Sequence, residues 1–132
     1  MFDATLLALQ QSLDLRTKAH AIYSSNIANA NVPGYKARAV DFQDRLKQAI
    51  DMSANQEDPN RLRQNLVKEA IKKVTAQVYE DPLASVNGDG NSVDVDKQMT
   101  NLAKNTIAYE SAVKLISRKF ALHKYVVSEG LR

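Results

Sequence analysis

The sequence predicts a mainly α-helical protein. A long N-terminal helix and a long C-terminal helix pair as an antiparallel coiled coil, and the middle region is small, irregular and partly helical. Three observations support this fold class. Apolar residues recur at steps of three and four along residues 4–31 and again along residues 94–128. The second repeat corresponds to a helix about 50 Å long, too long for the core of a compact chain of 132 residues. Only the N-terminal segment is long enough to cover it.

The N-terminal helix carries two neighbouring apolar stripes. The first stripe includes Leu6, Leu9, Leu13 and Ile27. The second stripe comprises Leu15, Ala19 and Ile22. A helix with two such stripes is usually covered on more than one side. In so short a chain, we expect part of that cover to come from other subunits.

A polar run at residues 26–36 ends this helix. It reads Asn-Ile-Ala-Asn-Ala-Asn-Val-Pro-Gly-Tyr-Lys. Val32 precedes a proline, which disfavours the helical conformation, and Pro33-Gly34 suits the two central positions of a type II turn. The turn leaves three polar side chains unexplained, which are Asn26, Asn29 and Tyr35.

The middle region is predicted to contain two shorter helices. Residues 41–52 form the first, with Asp41 as its N-cap. Residues 53–60 are a polar connector, and Asp58-Pro59 begins the second helix. Apolar residues then recur at helical spacing as far as Val78, and residues 83–93 are rich in turn-forming dipeptides. The chain therefore divides into residues 1–36, 37–93 and 94–132.

The C-terminal segment has the most regular pattern. Its stripe alternates steps of four and three and comprises Val95, Met99, Leu102, Thr106, Tyr109, Val113, Ile116, Phe120, His123 and Val127. Such a repeat is typical of coiled coils. Asp94 is a suitable N-cap and Gly130 suits the position just after the helix.

The sequence offers no constellation for catalysis, a cofactor or a metal. Cysteine is absent, which excludes disulfides, thiolate nucleophiles and cysteine-ligated metals. His20 and His123 fall on apolar stripes without a second ligand at metal spacing. A calcium loop beginning at Asn87 fails because Ser92 and Gln98 replace the glycine and glutamate it needs. No stretch approaches the roughly 20 apolar residues of a membrane span, and no cleaved signal peptide is expected.

Charge is unevenly distributed along a chain of net charge +3. Residues 61–78 carry five bases and one acid, residues 79–96 five acids and no base, and residues 97–132 seven bases and two acids. Basic blocks of this kind suit nucleic acid or anionic lipid. Neither partner is favoured, because the aromatic and glycine patterns of nucleic-acid modules are missing. The blocks are read as solvated faces or as contacts for acidic partners.

Several runs resemble the signatures of the bacterial flagellar basal-body rod protein family. Residues 26–36 resemble the N-terminal signature Asn-Ile/Leu-Ala-Asn-x-x-Thr-Pro-Gly-Tyr, with Val32 where threonine is usual. Residues 89–99, Asp-Gly-Asn-Ser-Val-Asp-Val-Asp-Lys-Gln-Met, look like the second signature of proximal-rod members, and residues 105–110 and 116–120 look like their C-terminal helix. The short length and residues 37–42 favour the B type of proximal-rod protein, with the C type next. Residues 53–86 show no family pattern.

The resemblance implies a non-enzymatic structural subunit of the proximal rod. Such subunits polymerise helically with other rod proteins into the driveshaft that links the membrane ring to the distal rod and hook for motility. They reach the periplasmic rod through the flagellar type III export apparatus, without a cleaved signal peptide. The implied partners are other rod subunits, membrane-ring adaptor proteins and the export apparatus, with no nucleic acid and no membrane insertion. The terminal helices are expected to become ordered on assembly.

Two sets of residues carry this hypothesis. The rigid bend that contacts neighbouring subunits is assigned to Asn26, Asn29, Asn31, Pro33, Gly34 and Tyr35. Packing across the coiled coil is assigned to Leu9, Leu13, Ile27, Met99, Leu102, Tyr109, Val113, Ile116 and Phe120. The alternative is a coiled-coil adaptor or chaperone of a secretion or flagellar system that does not polymerise.

Overall fold

The computed structural model describes residues 4–54 and 61–130, with side chains for residues 4–51 and 64–130. The elements in chain order are α1 (Ala4–Ala28), β1 (Arg38–Asp41), α2 (Gln43–Ala54), α3 (Arg61–Lys73), β2 (Gln77–Glu80) and α4 (Val95–Glu129). The mainly helical fold class is therefore confirmed. The helix start predicted at Asp58-Pro59 lies outside the described residues.

The two long helices, α1 and α4, pack against each other in antiparallel directions. The side-chain amide of Asn26, near the end of α1, donates to Gln98 Oε1 near the start of α4 at 3.0 Å. Farther along, Asn105 Nδ2 donates to the backbone oxygen of Arg16 at 2.8 Å. Residues that are late in one helix therefore meet residues that are early in the other, which confirms the predicted pairing.

The residues that α4 buries against α1 differ from those predicted. The buried α4 positions are Gln98, Asn105 and Ala112, at intervals of seven residues, and we call this line the seam. One line of the predicted stripe, from Met99 to Phe120 at intervals of seven, lies one residue farther along, and Met99 and Phe120 are more than half exposed. Those two side chains do not pack across the coiled coil within this chain. The seam uses polar and small residues because its amides bond to α1, which hydrophobic periodicity does not reveal.

The hydrophobic core lies on the other side of α1, where α2 and α3 pack. It comprises Ala8, Leu15, Ala19, Phe42, Leu46, Ala49, Val67, Ile71 and Val74. Gln11 Nε2 donates to the backbone oxygen of Val74 at 2.7 Å, which fixes the end of α3 on α1. The guanidinium carbon of Arg16 lies 5.8 Å from the Phe42 ring centre, a cation–π distance, and burial lowers the pKa of Arg16. Helix α1 is thus covered on two sides, as its two stripes predicted.

The prediction of a helix reaching Val78 is wrong. Helix α3 ends at Lys73, and β2 instead pairs antiparallel with β1, with Val40 opposite Val78 and Ala39 opposite Tyr79. Branched and aromatic residues favour strands when a neighbouring strand is available. That neighbour is 40 residues away in the chain, so local periodicity could not indicate it.

The predicted helix caps agree with the structure in part. Asp94 caps α4 as predicted, because its Oδ1 accepts from the backbone nitrogen of Lys97 at 3.0 Å. Gly130 has φ −74° and is right-handed, so it is not the left-handed cap expected there. Asp41 is the last residue of β1, and α2 begins at Gln43, so Asp41 does not have the predicted capping role.

Candidate functional site at the helix bend

The bend after α1 interlocks with a distant loop. We call residues 26–36 the bend and residues 87–93 the loop. Gly34 N donates to Asp89 O at 3.0 Å, and Ser92 N donates to Tyr35 O at 3.0 Å. The Ser92 hydroxyl also accepts from Ala37 N at 2.8 Å. Two runs that the sequence presents separately, 50 residues apart, therefore form one structural unit.

The bend contains the predicted type II turn. The backbone nitrogen of Tyr35 donates to Val32 O at 3.2 Å, and Gly34 has a φ of +75°. A hydrogen bond from the fourth residue to the first, with positive φ at the third, defines this turn type. Glycine is required at residue 34 because other residues adopt positive φ only with strain.

A second glycine brings the loop against this turn. Gly90 has a φ of +82°, and its nitrogen donates to Asn87 O at 2.9 Å. A Cβ atom added to Gly90 would lie 3.3 Å from the Cα of Gly34. Both the positive φ and the close backbone approach therefore select glycine at residue 90.

Asn26 is the polar centre of the unit. Its Nδ2 donates to Arg38 O at 2.7 Å and to Gln98 Oε1 at 3.0 Å. Its Oδ1 accepts from Arg38 N at 3.0 Å and from the Tyr35 hydroxyl at 3.3 Å. The side chain has no exposed surface, and all its donor and acceptor positions are occupied. One residue thus joins α1, β1 and α4.

Asn91 has the corresponding role in the loop. Its Nδ2 donates to Asn29 O at 3.0 Å and to Val32 O at 2.7 Å, carbonyls that follow the end of α1. Its Oδ1 accepts from Val93 N at 2.7 Å, and the residue is fully buried. Sequence reasoning considered Asn91 only as a calcium-loop or turn residue. The position of Asn91 within the second family signature is the feature of the sequence that indicates a structural role.

The loop side of the unit is also tied to α4 and β2. Lys97 Nζ contacts Asp81 Oδ2 at 2.6 Å, and Leu83 N donates to Asp81 Oδ1 at 3.0 Å. The hydrogen bond from Lys97 is the main cause that lowers the pKa of Asp81 below its usual value. This pair holds the end of the small sheet against the start of α4.

The predicted bend residues separate into three groups. Asn26 is wholly internal, where its amide bonds to Arg38, Gln98 and Tyr35 and is not presented at the surface of the chain. Asn29 and Tyr35 are partly buried, and each bonds within the chain, with Asn29 Nδ2 donating to Ser25 O at 2.7 Å. Residues exposed at the tip of the bend are Asn31, Pro33 and Gly34.

The arrangement is suited to rigidity. Its polar groups are amides, hydroxyls and backbone atoms that satisfy one another. Within residues 4–54 and 61–130, no group of three or more His, Asp or Glu side chains is placed to hold a metal ion. Among the same residues, no helix is long and apolar enough to cross a membrane.

Comparison with known proteins agrees with this architecture. Residues 6–36 match the family model described as flagella basal body rod protein. The flagellar basal body rod protein FlgB of Escherichia coli (strain K12) is 31% identical, over 97% of this chain and 96% of that protein. FlgB of Bacillus subtilis (strain 168) is 30% identical over 98% of each chain. The chain therefore belongs to the flagellar basal body rod proteins of the FlgB type and is a structural subunit of the rod.

Proposed function

We propose that this rod subunit lies in the proximal rod and polymerises helically, with copies of itself and with other rod proteins, into the driveshaft between the membrane ring and the distal rod and hook. The observation that carries this proposal is the apolar surface of α4 that the chain does not cover. In this proposal residues 1–36 and 94–132 supply the paired helices of the rod, and residues 37–93 brace the bend.

The chain as a whole exposes more surface than a compact protein of its mass. The accessible area is 9338 Å² for a mass of 14.7 kDa. A compact monomer of that mass exposes roughly 6900 Å². Large apolar side chains exposed on α4 include Met99, Ile107, Leu115, Phe120, Leu122, Tyr125, Val126 and Val127. Large apolar side chains exposed in this number on one helix mark protein contacts.

The α4 helix also extends past its partner. Because Asn105 lies across from Arg16, Ala4 lies across from about residue 117, and α4 continues for about 18 Å beyond it. We assign this extension to contact with neighbouring subunits. At the other end of the helix pair, the tip formed by Asn31, Pro33 and Gly34 is the second proposed contact, which Asn29 and Tyr35 support from inside.

Membership of the rod family also supports proposals about the partners of this subunit and its location in the cell. We propose contacts with membrane-ring adaptor proteins and passage through the flagellar export apparatus to a periplasmic position. The predicted packing residues Leu9, Leu13, Ile27, Leu102 and Ile116 are partly buried between helices, which supports a packing role for them. Tyr109 and Val113 are more than a third exposed, so their proposed partners are neighbouring subunits.

The test is a matched pair of surface substitutions in cells that lack the native copy. Phe120→Ser removes an exposed apolar side chain from α4, whereas Leu66→Ser removes one from α3. We expect Phe120→Ser to abolish swimming and rod assembly while growth and the helical circular dichroism of the purified chain stay normal. Leu66→Ser should swim. Full motility of a Phe120→Ser strain would refute the proposal.

A further inference from the structure

Opposite sides of the α1–α4 pair carry two different apolar surfaces. The first, which we call the ridge, consists of Met99, Thr106, Val113 and Phe120, all exposed. These residues are spaced by seven, like the seam beside them. A line with that spacing stays straight along a supercoiled helix pair, so another helix pair can follow it.

The second surface is a groove between α1 and α4, with a volume of about 530 Å³. Its apolar lining comes from Leu9 on α1 and from Ile107, Ala108 and Leu115 on α4. Ile107 and Leu115 are more than half exposed. At about 100° of rotation per residue, Ala108 and Leu115 each lie about 160° from the ridge residue two positions before them, on the other side of α4.

The two surfaces carry opposite charges in the middle of α4, whereas Lys124 borders the C-terminal end of the ridge. Glu110 lies four residues after Thr106 and three before Val113, so it borders the ridge on the helix surface. Lys104 lines the groove. Both side chains are exposed, and neither has an ion pair among the described residues. A ridge bordered by an acid matches a groove lined by a base.

We propose that the ridge of one copy docks into the groove of a second copy, side by side, with Glu110 of the first beside Lys104 of the second. This inference rests on the proposed function, since it names the contact through which copies would join in the rod. The two surfaces differ, so the interface is heterologous and leaves a free ridge and a free groove at the ends. Such contacts repeat around a ring or a helix. The ridge runs beside the seam with the same spacing of seven residues. This shared spacing supports a second α1–α4 pair as the partner that binds the ridge.

The absence of cysteine allows a direct test by disulfide crosslinking. Val113→Cys places a thiol on the ridge and Ile107→Cys places one in the groove, at the same offset of six residues that sets Glu110 beside Lys104. The two variants, one of them tagged, are produced together, and isolated basal bodies are oxidised with copper phenanthroline. We expect the mixed 113–107 dimer to predominate over 113–113 dimers. A predominance of 113–113 dimers, or a mixed yield no higher than that of Val113→Cys with Leu66→Cys, would overturn the inference.

Charge reversal tests the same contact independently. Glu110→Lys and Lys104→Glu should each lower the mixed crosslink by about fivefold, as expected for loss of an exposed ion pair. The two reversals combined in one chain should restore it, because the opposite charges face each other again. Failure of the combined chain to recover the yield would contradict the pairing of these two residues.

The outcomes separate this inference from the proposed function. If the cysteine variants are present in basal bodies by immunoblot but the mixed dimer does not form, the ridge–groove contact is wrong and rod assembly stands. If another rod protein occupies the groove, the subunit is again present without the mixed dimer, and the inference fails in the same way. Absence of the chain from basal bodies would overturn both.

Discussion

Asn26 and Gln98 meet across the two long helices through a hydrogen bond of 3.0 Å, and both side chains are buried. Asn26 belongs to the first signature and Gln98 to the second. The bond therefore joins the end of α1 to the start of α4 at the level of the bend. This contact gives the signatures a structural reason, because each contains the amide that the other needs.

Replacement of Asn26 tests how much this contact stabilises the fold. Asn26→Ala leaves both backbone groups of Arg38 and the Gln98 side chain without their partner in a buried site. We expect the free energy of unfolding to fall by about 3 kcal/mol. Asn31→Ala, at an exposed position of the same bend, should change it by less than about 0.5 kcal/mol. Urea titration followed by circular dichroism measures both, and equal effects would contradict this role of Asn26.

The loop offers a matched pair of glycines. Gly90→Ala forces a side chain into positive φ and brings its Cβ to 3.3 Å from Gly34 Cα. We expect it to destabilise the fold by about 2 kcal/mol. A Cβ at Gly88 would meet nothing within 4 Å, and its φ is not positive, so Gly88→Ala should be nearly neutral. A neutral Gly90→Ala in thermal unfolding would show that the bend and loop do not pack as described.

The Asp81–Lys97 pair makes stability depend on pH in a defined direction. The pKa of Asp81 is lowered in the folded chain, mainly by the hydrogen bond from Lys97. The contribution of the Asp81 carboxylate to the free energy of unfolding is therefore present above the ordinary carboxyl pKa. It is lost as pH falls through the lowered pKa of the folded chain.

Lys97→Met should bring the pKa of Asp81 back toward its usual value, and carboxyl NMR titration measures that shift. The stability difference between the two proteins should be present at neutral pH and vanish in acid. Lys104→Met, which removes a lysine distant from Asp81 in the chain, serves as the control and should leave the Asp81 titration unchanged.

The free end of α4 is expected to exchange its amide hydrogens faster than the seam. Residues 120–129 are exposed and extend beyond α1, whereas Gln98, Asn105 and Ala112 are covered by it. Local opening requires less free energy where few apolar contacts hold a segment. Hydrogen exchange of the free chain should show this gradient, and assembly into the rod should protect residues 120–129. Uniform protection of α4 in the monomer would refute the prediction that this end becomes ordered on assembly.

The sequence was informative wherever a local pattern decides the structure. It predicted both long helices, the cap at Asp94 and the turn at Pro33-Gly34, because these depend on residues within one or two turns of each other. It failed at β2, since a strand is decided by a partner far away in the chain. It also misplaced the seam by one residue, since amides at Gln98 and Asn105 displace the apolar stripe from the contact with α1.

By itself, the sequence determined the mainly helical class, the antiparallel pairing of the two long helices and, through its signatures, the rod family. Only the tertiary structure decided what the polar residues do. Hydrophobic periodicity locates helices but does not say which amide meets which carbonyl. Asn26 consequently links α1, β1 and α4 inside the chain, and Asn91 links the loop to the backbone that follows α1. The same packing leaves Met99 and Phe120 of the predicted stripe exposed, because α1 covers the amide seam beside them.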